Sequence, residues 1–235
     1  MNARLLLLLA SLLGLGGCSL LGPQNVPEVS TYTLAVERIH SPVSSHQKIT
    51  LAVNTPTAGA GYDTRKMIFT NRPYELGEFA RSQWAAPPAE MIEPILIQKL
   101  RDTGRFHAVV MNAFSTNKQL SLRTHLIELR QDFTVKPSQV KVAIQAELIN
   151  ANDNKVINSR TFTTSISAPE NTPYSGVVAA NKAVDWLLTQ IAEFSVRSLN
   201  SAQHESADSP DSRISQVSPV AKKYRFYKNI KNNIH

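Results

Sequence analysis

Few side chains in this 235-residue sequence are spaced for chemistry, and the thiol of Cys18, the only cysteine, is the exception. The six histidines, at 40, 46, 107, 125, 204 and 235, never fall three or four residues apart, so no helix face presents a metal-binding pair. The chain has no GxxxxGK[ST] loop to cradle phosphate and no GxSxG nucleophile elbow. Ser, His and Asp all occur, but without a local motif their co-occurrence carries no weight. These absences argue against an enzyme, a metal site or a bound cofactor. A lone cysteine also makes no internal disulfide, so stability must come from packing. What singles out Cys18 is its setting: Arg4 and the amino terminus, an apolar run from Leu5 to Leu15, then Gly16 and Gly17.

That order is the layout of a secretory signal peptide. The apolar run is shorter than the ~20 residues a spanning helix needs. With cysteine at the junction, Leu15-Gly16-Gly17-Cys18 resembles a bacterial lipobox, in which the thiol is diacylated and the preceding peptide removed. Residues 1–17 are then a lipoprotein signal peptide and Cys18 the acylated first residue. Several acyl chains, palmitate among them, meet the need of stable anchoring for more than one weak membrane signal. Ser19 is not the aspartate associated with inner-membrane retention, which favours the outer membrane, with the domain facing the periplasm.

Residues 18–30 read as a tether, with Gly22, Pro23 and Pro27 and few large apolar side chains. Residues 31–199 suffice for one domain. The net charge of +7 is concentrated at the end, where Lys222, Lys223, Arg225, Lys228 and Lys231 alternate with Tyr224, Phe226 and Tyr227. Export speaks against nucleic acid as its partner, leaving anionic lipid, an envelope polymer or a solvated tail. Residues 200–235, rich in Ser, Asp and Asn without a sustained period, read as a disordered basic tail.

Within the domain, strands are expected at Thr31–Glu37, Lys48–Asn54 and Phe106–Met111, with a hairpin from Met67–Thr70 to Tyr74–Phe79 around Asn71-Arg72-Pro73. Val140, Val142, Ile144, Ala146 and Leu148 alternate with polar residues, as in a strand with one face on a core. Asn152-Asp153-Asn154 turns that strand into Val156–Ile166. Gln119–Phe133 shifts its apolar phase between Leu126 and Ile127, which a bulge would explain. One helix is expected from Pro87-Pro88 to Thr103-Gly104, with Pro94 in its first turn or at a kink. A second is expected from Pro173 to Ser198, with Trp186 off its apolar stripe. The expected fold is α+β, a two-layer sandwich with a largely antiparallel sheet and both main helices on one face.

Two segments stand out as surfaces for a partner. Gly59-Ala60-Gly61-Tyr62-Asp63-Thr64-Arg65-Lys66 joins mobile glycines, an aromatic and two cations, and reads equally as a turn with solvated charges. Trp84-Ala85-Ala86-Pro87-Pro88 reads as a contact surface or, more simply, as a rigid helix entry whose indole closes the core. Gly59, Gly61, Tyr62, Arg65 and Trp84 are the candidate partner-binding residues. Taken with Tyr32-Thr33-Leu34, Arg72-Pro73-Tyr74-Glu75-Leu76, Phe79-Ala80 and Leu100 to Phe106, these segments resemble the PqiC-like ABC-type transport auxiliary lipoproteins. The resemblance is most specific between Gly59 and Phe106; Phe69, where tyrosine is expected, and the basic tail depart from it. It implies a lipoprotein without a catalytic site that docks the MCE-type substrate-binding protein of an ABC system moving lipids or other hydrophobic compounds between inner and outer membranes. Because one small domain cannot surround a tunnel, a ring-forming homo-oligomer is also expected. The competing reading is a structural lipoprotein that braces an outer-membrane assembly or ties it to the cell wall.

Overall fold

The alternation of Val140, Val142, Ile144, Ala146 and Leu148 sets the frame of the computed structural model, which describes residues 28–35, 49–112 and 118–208. Cys18, the tether as far as Pro27, Val36 to Lys48 and the basic run from Lys222 lie outside the described residues. Among the described residues nine strands and two helices follow in the order β1 (Ser30–Tyr32), β2 (Thr50–Val53), β3 (Thr57–Ala58), β4 (Lys66–Thr70), β5 (Gly77–Trp84), α1 (Pro88–Asp102), β6 (Ala108–Met111), β7 (Leu120–Asp132), β8 (Gln139–Asn150), β9 (Val156–Ser167) and α2 (Pro173–Asp208). The fold is α+β, as expected: two helices and one large sheet that does not close on itself.

β7 is the spine of that sheet. Along one edge it pairs antiparallel with β8, and β8 with β9, a meander joined by short turns. Along the other edge it pairs in parallel with β2, β3 and β4 in succession. Parallel pairs need long crossover connections, and local periodicity does not reveal them, so beside its antiparallel meander the sheet carries more parallel pairing than a largely antiparallel one would. β6 extends the sheet beyond β2, and β5 and then β1 extend it beyond β4.

The phase shift in β7 is a bulge. Pairing with β8 passes from Leu126↔Ile144 to Glu128↔Ala143, which leaves Ile127 unpaired and partly exposed. Leu122 and Leu126 before the bulge and Leu129 after it all reach the core, although their spacing breaks strict alternation. On β8, Val140, Val142, Ile144, Ala146 and Leu148 are all buried.

α2 packs across β8 and β9, and Phe162 meets Phe194 edge-on at 5.5 Å. α1 lies against α2 and β6, and Lys99 pairs with Asp185 at 2.6 Å. Pro94 sits within α1, not in its first turn. The hydrogen bond it cannot make would run to the carbonyl of Glu90, and both residues are exposed, so water can satisfy that oxygen. Trp186 stands off the buried stripe of α2 and is 49 % exposed.

Three boundaries correct the sequence reading. The second strand of the β4–β5 hairpin begins at Gly77 rather than Tyr74 and runs to Trp84; Tyr74 lies in the turn with φ 67°. Gly77 is required where it stands, because a Cβ there would lie 2.5 Å from Cζ of Phe69 across the ladder. Phe69 in turn packs on Phe79, with ring centroids 4.7 Å apart, and on Phe133 at 6.0 Å. Finally, α2 continues past Leu199 to Asp208, so the first part of the supposed tail is helical. Its Ala, Gln and Glu residues are good helix formers, and no proline interrupts them before Pro210.

Candidate docking site

Four of the five candidate residues lie on one loop laid across the bulge of β7. Gly59 continues the pairing of β3, its N–H donating to the carbonyl of Leu126 at 2.8 Å. The chain then turns: Tyr62 N–H donates to Gly59 O at 3.0 Å, and Gly61 takes φ 89°, in the region that favours glycine. Tyr62 is half-buried, with its ring packed against the edge of the core. Burial pushes its phenol pKa up, the negative charge of Glu128 adds to this, and Arg130 opposes it. Arg65 is exposed at the end of the loop.

Trp84 is joined to this loop through its backbone. Its N–H donates to Arg65 O at 2.7 Å, and Arg65 Nε donates to Trp84 O at 3.0 Å. The indole points inward and is only 4 % exposed, lining a small internal void with Met67, Leu129 and Ala180. Gly59, Gly61, Tyr62 and Arg65 therefore present a surface, while Trp84 supports it from within the core.

Sequence reading missed a polar cluster further along β7. Asp132, nearly buried, accepts from Thr134 N–H at 2.9 Å and Thr134 Oγ1 at 2.6 Å, and pairs with Lys141 Nζ at 2.7 Å. Burial works against its charged form, but the hydrogen bonds from Lys141 and Thr134 and the charge of Lys141 outweigh it and bring the pKa down to about 2. Arg130 lies between Glu128 and Asp132 on the same strand. These groups, with Thr70 and the turn from Pro73 to Leu76, line an open groove of about 580 Å³. Asp132 and Thr134 have the two-residue spacing of an Asx turn, but Lys141 reaches them only because β8 folds back on β7.

The lowered pKa makes Asp132 a stabilising charge above about pH 4, its ordinary range, with that contribution lost as pH falls from there through about 2. Asp132→Asn should cost at most about 2 kcal/mol near neutral pH. In urea unfolding at a series of pH values, the gap between wild type and variant should close toward pH 2. A gap independent of pH would show that the carboxylate charge is not what stabilises.

The Asp132 carboxylate is engaged by Thr134 and Lys141, and among the described residues no three His, Cys, Asp or Glu side chains gather to hold a metal ion. Nor is any helix among them long and apolar enough to cross a membrane. The surface offers shape, one aromatic and charges of both signs, which suits recognition. Against known families, residues 32–192 match the model for the ABC-type transport auxiliary lipoprotein component. The chain belongs to that family.

Solved structures agree on the fold. A Xanthomonas campestris protein of the family DUF330 superposes with a TM-score of 0.66 at 19 % identity, over 74 % of this chain and 99 % of that one. The crystal structure of an uncharacterized protein gives a TM-score of 0.56 at 13 % identity, over 73 % and 99 %. No curated protein matches the sequence. As a member of the auxiliary lipoprotein family, the chain is assigned to a membrane-anchored class serving ABC-type transport. The match begins within β1 and ends within α2, so it takes in both the Gly59–Arg65 loop and the groove.

Proposed function

We propose that this auxiliary lipoprotein is a non-catalytic accessory of an MCE-type ABC transport system that moves lipids or other hydrophobic compounds between inner and outer membranes. Acyl chains on Cys18 hold it on the outer membrane, facing the periplasm. The loop from Gly59 to Arg65 receives the MCE-type substrate-binding protein, and several copies of the domain together surround the path of the cargo. The family match over residues 32–192 carries this reading. The resemblance of the sequence before Cys18 to a lipobox supports it as well.

Photoreactive residues placed at Tyr62 and Arg65 in living cells should capture an MCE-type protein. The same residue at Trp84 should react only within the chain, because its side chain is buried. Capture of cell-wall or barrel-assembly components alone at positions 62 and 65 would instead make the protein a structural brace.

A further inference from the structure

The end of the sheet that carries the groove also carries the largest apolar side chains displayed on loops. Tyr74 is fully exposed, Leu76 is 56 % exposed, and Val135, on the loop from β7 to β8, is 39 % exposed. The turn between β4 and β5 holds Tyr74 outward. Thr70 Oγ1 donates to the carbonyls of Arg72 and Glu75, Glu75 N–H donates to Arg72 O at 3.2 Å, and Arg72 forms an ion pair with Glu75. The second loop is fixed beside it, with Phe133 N–H donating to Thr70 O at 2.9 Å. An aromatic residue at positive φ in a rigid turn, with its ring entirely in water, is an expensive way to end a hairpin.

The course of β1 indicates what this tip faces. β1 runs parallel to β5 with Ser30 opposite Ser82 and Tyr32 opposite Trp84. Two residues back, Glu28 is level with Ala80, so the chain enters the domain from the side of Gly77 and the Tyr74 turn, within about 10 Å of it at ~3.3 Å per residue. Ten residue-to-residue steps separate Glu28 from Cys18. Fully extended they reach about 35 Å, and as a flexible linker about 20 Å. The opposite end of the molecule, at the turn after Asn150, lies the length of β7 away, about 40 Å. An anchor at Cys18 therefore brings the Tyr74 end to the membrane more readily than the far turn.

We infer that Tyr74, Leu76 and Val135 form a second membrane contact, seated in the interface of the phospholipid bilayer that holds the acyl chains. Tyrosine suits that depth because its ring is apolar and its hydroxyl can stay hydrated. Lys136, and Arg72 beside its partner Glu75, are exposed on the two tip loops, where lipid phosphates would meet them. Two contacts fix the tilt of the domain, which a single anchor point leaves free, and they turn its far end toward the periplasm. This inference rests on the acyl anchor proposed above.

Acylation of the only native cysteine leaves an engineered one free for labelling. Full-length acylated protein carrying Tyr74→Cys, Val135→Cys or, at the far turn, Asn152→Cys would be labelled with an environment-sensitive fluorophore. Each is then reconstituted on phosphatidylethanolamine–phosphatidylglycerol vesicles containing nitroxide-labelled lipid. Labels at 74 and 135 should shift to the blue and lose several-fold intensity to the nitroxide, while the label at 152 stays unchanged. Vesicle flotation reads the anchor separately: protein that fails to float refutes the acyl anchor. Protein that floats with labels at 74 and 135 no more quenched than at 152 overturns the tip contact alone and leaves that surface to a protein partner. Using both 74 and 135 covers the case in which one substitution disturbs its loop.

Discussion

With its leader exchanged for one cut by the ordinary signal peptidase, a Cys18→Ser chain should move entirely from the membrane to the soluble periplasmic fraction. Two or more acyl chains give stable attachment, whereas a single weak signal binds only marginally and reversibly. No helix among the described residues could take over by spanning the bilayer. The tip around Tyr74 would supply at most such a weak signal. Because Cys18 lies ten residues ahead of Glu28, the melting temperature of the domain should not change. Mass spectrometry of the mature amino terminus should show acyl mass on the wild type and none on the variant. Cells carrying only the variant should be as sensitive to detergents as a deletion strain. Retention of the unacylated protein in the outer-membrane fraction would overturn the assignment of Cys18 as the anchor.

Trp84→Ala should be among the most destabilising single changes. The indole is 4 % exposed, and nothing else fills its place between β4, β7 and α2. Truncating a buried tryptophan to alanine costs about 3–5 kcal/mol through lost transfer energy and the remaining cavity. In a domain of this size that lowers the melting temperature by roughly 6–20 °C. Arg65→Ala, on the exposed partner of Trp84, loses a hydrogen bond worth about 1 kcal/mol and should melt only a few degrees lower. Circular dichroism melts read both. If Trp84→Ala melted like the wild type but no longer captured a partner, the indole would be a contact residue and the packing account would fail.

The contrast between Arg65 and Trp84 also shows where the sequence is readable. Periodicity located β8, both helices and the bulge at Ile127, because burial on one face leaves a local pattern of apolar residues. It could not say which edge of β7 would receive β2, β3 and β4, since a parallel partner is chosen by tertiary packing. β3, only two residues long, carries no pattern at all. The hairpin was found but misplaced at its second strand, because Tyr74 adopts a backbone conformation usually left to glycine or asparagine. The loop from Gly59 stood out by composition, and the structure lays it over the bulge, with the Tyr62 phenol under the electrostatic influence of Glu128 and Arg130. The cluster of Asp132, Thr134 and Lys141 was invisible because two strands must pair before it exists. Trp84 was legible as a large side chain at a helix entry, but its burial depends on α2, which begins far along the chain.

The divided edges of β7 also set an order of assembly. β7, β8, β9 and α2 follow one another in sequence and pair with near neighbours, so that half can form soon after it appears. β4 can pair early with β5 and β2 with β6, but their other edges, and β3 altogether, have nothing to zip onto until β7 arrives, with Leu51 waiting for Leu120 and Ile68 for Arg130. A chain that emerges amino terminus first therefore presents its first strands as unpaired edges throughout that delay. During that interval the amino-terminal half is the part most exposed to proteolysis and to pairing with other chains, and a holding chaperone would find its binding sites there.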